Sequence, residues 1–419
     1  MEQKQKIPKI RLNHLGQFYA SKNRKDNPGV FGITVNLKEK LSPELLQSAF
    51  DSLMRRFPFV NVRLCSGFMW FYHKPLKTLP KIISENDMPA MCCSFENKRN
   101  HLIRIIYGER CFTVEAFHSI CDGRSLAVMV NYLLDVYFGL APVSDGIDRA
   151  SVCSDFIDEE EMEDAYFRWA DNLKPGIFSM VIELFRILGS YKKAGEEKII
   201  HGYIPDFMRA AAEIITQKFD LVKIKQKAKE HGVTVNEYIM AHMFLAFAAM
   251  RDNEGSNKPV IIEIAVDCRK LFPSRSIFPF AVNATFTMPE TKDFSTLVHS
   301  IKEQLINISA ESIKERIKEI ERMINIGNIL PLFIKKHIMG SIGNSEIAGC
   351  TTWFSNLGLI QLPAEIEARV DSISFALCPE TAVPYQFGCA SIGDTLTLTT
   401  SATVKEREII DHLANALNN

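Results

Sequence analysis

The same succession of elements occurs twice along this chain, on either side of a stretch of different texture. In the first half Phe31 to Leu37 is a strand, and Ser42-Pro43-Glu44 supplies an N-cap, a first-turn proline and a first-turn acid to a helix running to Arg56, where Pro58 ends it. Val60 to Leu64 and Phe68 to Tyr72 read as further strands, and Leu102 to Tyr107 with Cys111 to Phe117 form a hairpin around Gly108-Glu109-Arg110. In the second half Ile214 to Phe219 is a strand, Leu221 to Glu230 a helix closed by His231-Gly232, and Thr234-Val235-Asn236-Glu237 a capping box that opens an apolar helix to Met250. Pro259 to Val266 then returns to strand, and Ser372 to Leu377, Gln386 to Ile392 and Thr395 to Ser401 add late strands before a last helix from about Glu406. Strands joined by short turns as well as by helices predict an α/β chain of mixed, largely antiparallel sheets rather than a doubly wound parallel one.

At 419 residues the chain is too long for one ordinary core. The repeated succession predicts two similar domains, 1–170 and 205–419, with a helical connector at 171–204 that follows the acidic run Asp158 to Asp164. Apolar residues make up 47% and charged residues 24%, which is the composition of a globular protein with well-buried cores. The net charge of −1 gives no overall field that would gather nucleic acid or an anionic membrane, and leaves only local patches to do so. The Lys-rich start lacks the apolar core of a secretory signal and no stretch reaches the length of a membrane span, so a cytoplasmic monomer is expected. Ten scattered cysteines without a Cys-x-x-Cys pair predict reduced, buried thiols and no metal site.

The chemistry is expected at Phe117-His118-Ser119-Ile120-Cys121-Asp122-Gly123-Arg124-Ser125. His118 leaves a strand and faces a helix whose apolar residues Leu126, Met129, Val130, Leu133, Leu134 and Tyr137 recur at helical spacing, with Ser125 available as its cap. An imidazole held at an element's edge with one ring nitrogen free suits a general base. Cys121 lacks the surroundings of a thiol nucleophile, and His242 in its apolar helix reads as a core or interface histidine. The mixed-sign segment Lys314 to Arg322 reads as a solvated helix face, and no phosphate-binding Gly-rich loop occurs.

His118-x-x-x-Asp122-Gly123 after a strand, Ser-Pro-Glu-Leu-Leu followed by Arg56-Phe57-Pro58, Val266-Asp267-Cys268-Arg269 and Phe354-Ser355-Asn356-Leu357-Gly358 fall in an order that resembles the coenzyme-A-dependent acyltransferase superfamily. That group contains chloramphenicol acetyltransferases, plant BAHD acyltransferases, alcohol acetyltransferases and condensation domains, and the bacterial alcohol-acetyltransferase-like branch looks most similar. The resemblance implies two chloramphenicol-acetyltransferase-like domains in a V, with His118 in a tunnel between them and late strands near 350–390 crossing over to the first domain's sheet. It implies transfer of an acyl group, acetyl or another short chain, from coenzyme A to a hydroxyl or amine, with an acyl carrier protein as an alternative donor and no bound cofactor. It further implies that Asp122 pairs bidentately with Arg269 to fix the turn carrying His118, instead of acting as a triad carboxylate. Gly123 permits a backbone conformation or a close approach. A donor for the oxyanion is expected among Thr351, Thr352, Ser355 and Asn356, and strand alternation leaves open which one faces inward. Many relatives carry a second histidine where this chain has Phe117, and the plant Asp-Phe-Gly-Trp-Gly motif is absent. A non-catalytic domain that binds an acyl thioester or a carrier protein is the contrasting expectation.

Overall fold

The structure is a computed structural model that describes residues 9–22, 29–91, 95, 100–140, 158–170, 182, 202–205, 209–327, 330–336, 349–377, 380 and 383–418. Nearly all of the connector expected at 171–204, and the loop at 340–344, lie outside the described residues.

The chain begins with β1 (Ile10–Arg11) and a helix that sequence reading missed, α1 (His14–Lys22). Then come β2 (Val30–Leu37), α2 (Pro43–Arg56), β3 (Val62–Ser66), β4 (Phe71–Pro75), β5 (Ile83–Ser84), the hairpin of β6 (Ile103–Tyr107) and β7 (Cys111–Phe117), and α3 (Gly123–Tyr137). Ser42 caps α2 by accepting from Leu45 N, and Pro43 opens its first turn. The strand expected at Phe68 to Tyr72 starts instead at Phe71, because Ser66 to Trp70 form the turn between β3 and β4, closed by Gly67 N donating to Trp70 O at 2.8 Å. β1, β4 and β3 make a small sheet of their own.

After α4 (Ala165–Trp169) the second half runs β8 (Arg209–Asp220), α5 (Leu221–Glu230), α6 (Val235–Asn253), β9 (Ile261–Asp267), β10 (Ala281–Thr287), α7 (Phe294–Ile306) and α8 (Ala310–Gly327). It ends with β11 (Thr352–Leu359), β12 (Val370–Ala376), β13 (Tyr385–Ile392), β14 (Thr395–Val404) and α9 (Glu408–Asn418). Both arms of the capping box at Thr234 and Glu237 are formed, which fixes the start of α6.

Two large mixed sheets organise the molecule, in strand orders β12-β2-β7-β6-β5 and β10-β9-β11-β13-β14-β8. β11 runs parallel to both β9 and β13, and the outer pairs of that sheet are antiparallel. The first sheet packs α2 and α3 over a core that includes Phe50, Leu53, Phe112 and Leu133, and the second packs α5, α6, α7 and α9 over Phe244, Phe247, Phe387 and Leu413. Of the strands between 350 and 390, only β12 leaves for the first sheet, where it pairs antiparallel with β2; β11 and β13 stay in the middle of the second. The reason is visible at the join. Edge-strand carbonyls of Ile373 and Leu377 accept from Thr397 Oγ1 and Ser401 Oγ of β14, each at 2.7 Å, so β12 is hydrogen-bonded on one side to β2 and on the other to the second sheet. Gly388 on β13 completes the contact, since a Cβ there would lie 1.9 Å from the Phe375 carbonyl oxygen.

The acidic run before the connector is tied down as well. Glu161 makes a two-bond ion pair with Arg56 at the end of α2, at 2.6 and 2.8 Å, with both side chains 2% exposed. Among the described residues, no single helix is long and apolar enough to cross a membrane.

Candidate active site

The turn from β7 to α3 is built by its neighbours. His118 N donates to Gly29 O at 2.9 Å, Ile120 N returns to Phe117 O, and α3 starts at Gly123. Starting two residues before Ser125, the helix takes Asp122 as its cap instead: Asp122 Oδ1 accepts from Ser125 N at 3.0 Å. The serine expected as the cap is thereby the residue being capped.

His118 is held between two rings. Tyr19 of α1 lies parallel to it, centroids 4.1 Å apart and planes within 3°, and Phe31 of β2 packs at 4.5 Å on a 45° tilt. Its Nδ1 is sealed from solvent without a hydrogen-bond partner among the described residues, and Nε2 makes no hydrogen bond to them either. Burial lowers the His118 pKa to about 4, against the opposing pull of Asp122 and of nearby backbone carbonyls. The ring is thus enclosed and neutral at pH 7, with its Nε2 uncommitted among the described residues.

Asp122 has no bond to His118. Its Oδ2 accepts from Arg269 Nη1 at 2.7 Å and from Phe280 N at 2.9 Å. Burial alone would raise its pKa, but the Arg269 charge and the donated N–H bonds hold it below the usual carboxylate value. The pair is single-bonded rather than bidentate, because the guanidinium serves a wider ring of acceptors: Asp267 Oδ1 at 3.1 Å, Ser276 O at 2.9 Å and Phe278 O at 2.7 Å, with Ser125 Oγ at 3.3 Å. Burial disfavours the Arg269 charge, yet the two aspartates raise its pKa overall. Asp267 also accepts from Arg124 at 3.1 Å, so the second half grips the motif at both Asp122 and Arg124. Asp267 and Arg124 lie within the two sequence motifs, but nothing in their spacing announces this role.

Gly123 is required for close approach. A Cβ there would meet Leu357 Cδ2 at 2.9 Å and Phe375 Cζ at 3.0 Å, which places β11 and β12 directly against the start of α3.

The late hydroxyl and amide groups separate by environment. Thr351 Oγ1 accepts from Ile261 N at 2.9 Å and Thr352 Oγ1 donates to Tyr385 O at 2.8 Å; both residues are fully buried in the second sheet. Asn356 bridges Asn236 at 2.6 Å and Gly358 N at 2.7 Å. Ser355 is half-buried and its hydroxyl has no hydrogen-bond partner among the described residues. It pairs in register with Gly388, whose Cα faces Phe375, while the preceding Phe354 enters the second core. Paired residues on adjacent strands share a face, so Ser355 looks toward the first sheet, on the side where Leu357 reaches Gly123. Of the four candidates, only Ser355 has its side-chain polar group uncommitted among the described residues.

Cys121 is fully buried and burial pushes its thiol well above the ordinary value, which removes it as a nucleophile. His242 packs against Tyr238 and Phe294. Among the described residues no cluster of His, Cys, Asp or Glu could hold a metal ion.

No protein-family model matches the chain, and none of the curated proteins is detectably similar to it. Solved structures are similar in fold. The F. graminearum protein TRI101 complexed with coenzyme A and deoxynivalenol superposes with a TM-score of 0.61 at 10% identity, covering 98% of this chain and 97% of that one. The trichothecene 15-O-acetyltransferase TRI3 from Fusarium sporotrichioides gives 0.57 at 13% identity, covering 97% and 93%. The condensation domain of the monacolin K polyketide synthase MokA gives 0.59 at 12% identity, covering 98% and 96%. The chain therefore shares the fold of these acetyltransferases and of this condensation domain over nearly its whole length.

Proposed function

We propose that this protein is an acyltransferase that moves an acyl group, acetyl or another short chain, from coenzyme A to a hydroxyl, with His118 as the general base. The reading is carried by one observation: a neutral imidazole clamped between Tyr19 and Phe31, with Nε2 uncommitted among the described residues, on a turn fixed from the second half of the chain by Arg269. On this reading residues 1–170 and 205–419 are two acyltransferase-like domains, and the acceptor and the thioester meet between them. The complex of TRI101 with coenzyme A supports that donor.

The acceptor hydroxyl gives its proton to His118 Nε2 as its oxygen attacks the thioester carbon. The carbonyl oxygen becomes an oxyanion, for which Ser355 Oγ is the donor best placed. When the intermediate collapses, the C–S bond breaks and the imidazolium returns the proton to the departing thiolate, leaving ester and free coenzyme A. No covalent enzyme intermediate is needed. Asp122 and Arg269 act only by positioning the turn, and Tyr19 by fixing the ring plane.

The test is thiol release by the purified protein from acetyl-CoA with a panel of alcohols. His118→Ala should lower kcat by about 100-fold or more. Release that persists unchanged in this variant would refute the base, and no release with any donor or acceptor would favour a domain that binds a thioester without turning it over.

A further inference from the structure

The small sheet of β1, β4 and β3 has two unlike faces. Its inner face carries Leu64, Phe71 and His73 into the core, and His73 Nε2 meets Ser119 Oγ at 2.9 Å, one residue from His118. By strand alternation and register, Arg11, Arg63, Tyr72 and Lys74 share the outer face. Lys9 and Trp70 extend it: Lys9 Nζ sits 5.4 Å over Tyr72, and Arg11 lies 3.9 Å over Trp70. No acidic residue occurs on these three strands. Asp164 and Glu321 act on Arg11, but Lys9, Arg63 and Lys74 have no carboxylate partner among the described residues.

At one end of this face is the turn between β3 and β4, whose Phe68 is 76% exposed. Leu332 N donates to Phe68 O at 2.8 Å, and the next residue, Phe333, is 65% exposed. Lys336 is exposed one turn further on, and Lys335 Nζ, buried without an acceptor, lies over Trp70 at 3.1 Å.

We propose that this face docks the protein on an anionic lipid bilayer. The exposed Phe68 and Phe333 are suited to enter the headgroup and acyl boundary, with Trp70 and Tyr72 at the interface and the exposed lysines and arginines meeting lipid phosphates. The charge is local, since the chain as a whole carries −1. A second copy of the chain is disfavoured by like-charge repulsion across a basic face. Single-stranded nucleic acid is disfavoured because the rings of Trp70 and Tyr72, which would stack on bases, are already covered by Arg11, Lys335 and Lys9. The inference is independent of the chemistry at His118.

The test is co-sedimentation of the full chain with phosphatidylcholine vesicles, with and without phosphatidylglycerol, at low and high salt. Binding should be stronger to the anionic vesicles and weaken with salt. Phe68→Ser with Phe333→Ser should lower partitioning about ten-fold. Lys9→Gln with Lys74→Gln should lower it roughly thirty-fold on anionic vesicles and leave it unchanged on neutral ones. Unchanged melting temperatures and thiol release with soluble substrates separate loss of docking from misfolding or loss of activity. Absence of wild-type binding to anionic vesicles, or equal binding by the phenylalanine variant, overturns the proposal. So does self-association without lipid that the same variant abolishes, or binding to oligonucleotide but not to vesicles.

Discussion

Removing Arg269 tests the coupling between the halves of the chain most directly. In Arg269→Ala the Asp122 carboxylate keeps its bonds from Ser125 N and Phe280 N but loses its only opposite charge, and the carbonyls of Ser276 and Phe278 lose their donors. Both side chains of the pair are nearly inaccessible, at 6% and 9%, so the carboxylate is left poorly solvated when the guanidinium is removed. Breaking one partner out of a buried pair costs about 3–5 kcal/mol. The effect has a pH signature. In the wild type Asp122 has a folded pKa below its unfolded value, so its contribution is complete above the unfolded pKa and is lost as pH falls through the folded one. Without Arg269, burial becomes the dominant influence and the folded pKa moves above the unfolded value. The variant's deficit then grows as pH rises from the unfolded pKa toward the raised one.

Urea unfolding followed by circular dichroism at pH 5 and pH 7.5 reads this out as a deficit larger at the higher pH. A double-mutant cycle with Asp122→Asn, which keeps the cap acceptor, should return an interaction energy of about 2 kcal/mol. In activity, a displaced His118 turn should lower kcat about 100-fold, as a misplacement near 1 Å does. Additivity of the two substitutions within about 0.5 kcal/mol, with a deficit independent of pH, would refute the argument that this pair holds the turn.

Ser355→Ala should lower kcat about 100-fold with little change in stability, whereas Thr352→Val should destabilise by about 1–3 kcal/mol by leaving the Tyr385 carbonyl without that donor; steady-state kinetics beside thermal melts separate the two roles. Thr397→Val should cost a similar amount, because the Ile373 carbonyl loses its Thr397 donor where β12 meets the second sheet, and an unchanged melting temperature would contradict this account of the join. Stability should fall between pH 6.5 and about 4, since the unfolded chain takes up protons there that His73 and His118, both lowered by burial, do not take up when folded; a urea midpoint higher at pH 5 than at pH 7 would reverse that sign.

Much of the architecture is legible in the sequence because local signals and burial agree. Ser42-Pro43 and the box from Thr234 to Glu237 place helix starts, and alternating apolar residues place β2, β6 and β7. His118, Asp122 and Arg269 could be paired in advance only through a family resemblance, since 147 residues separate Asp122 from Arg269. Tyr19 escaped because α1 has little amphipathic pattern: its buried residues include Gly16, Gln17, Ser21 and Lys22, so no apolar stripe announces the helix. Ser355 could not be chosen over Thr351 and Thr352 because the choice depends on which strand lies beside β11 and on what Gly388 faces, and both are tertiary facts.

The misread strand at Phe68 is of a different kind. A run of Phe68-Met69-Trp70-Phe71-Tyr72 has the composition of a buried strand, and local preference favours reading it as one. The fold spends its first residues on an exposed turn, whose Phe68 carbonyl accepts from Leu332 N, the neighbour of a second exposed phenylalanine, Phe333. Exposing an apolar tip has a cost in water. Places where local preference and fold disagree without an internal gain are where an external contact is expected. Here the disagreement falls on a sheet whose other face is tied into the core, where His73 meets Ser119.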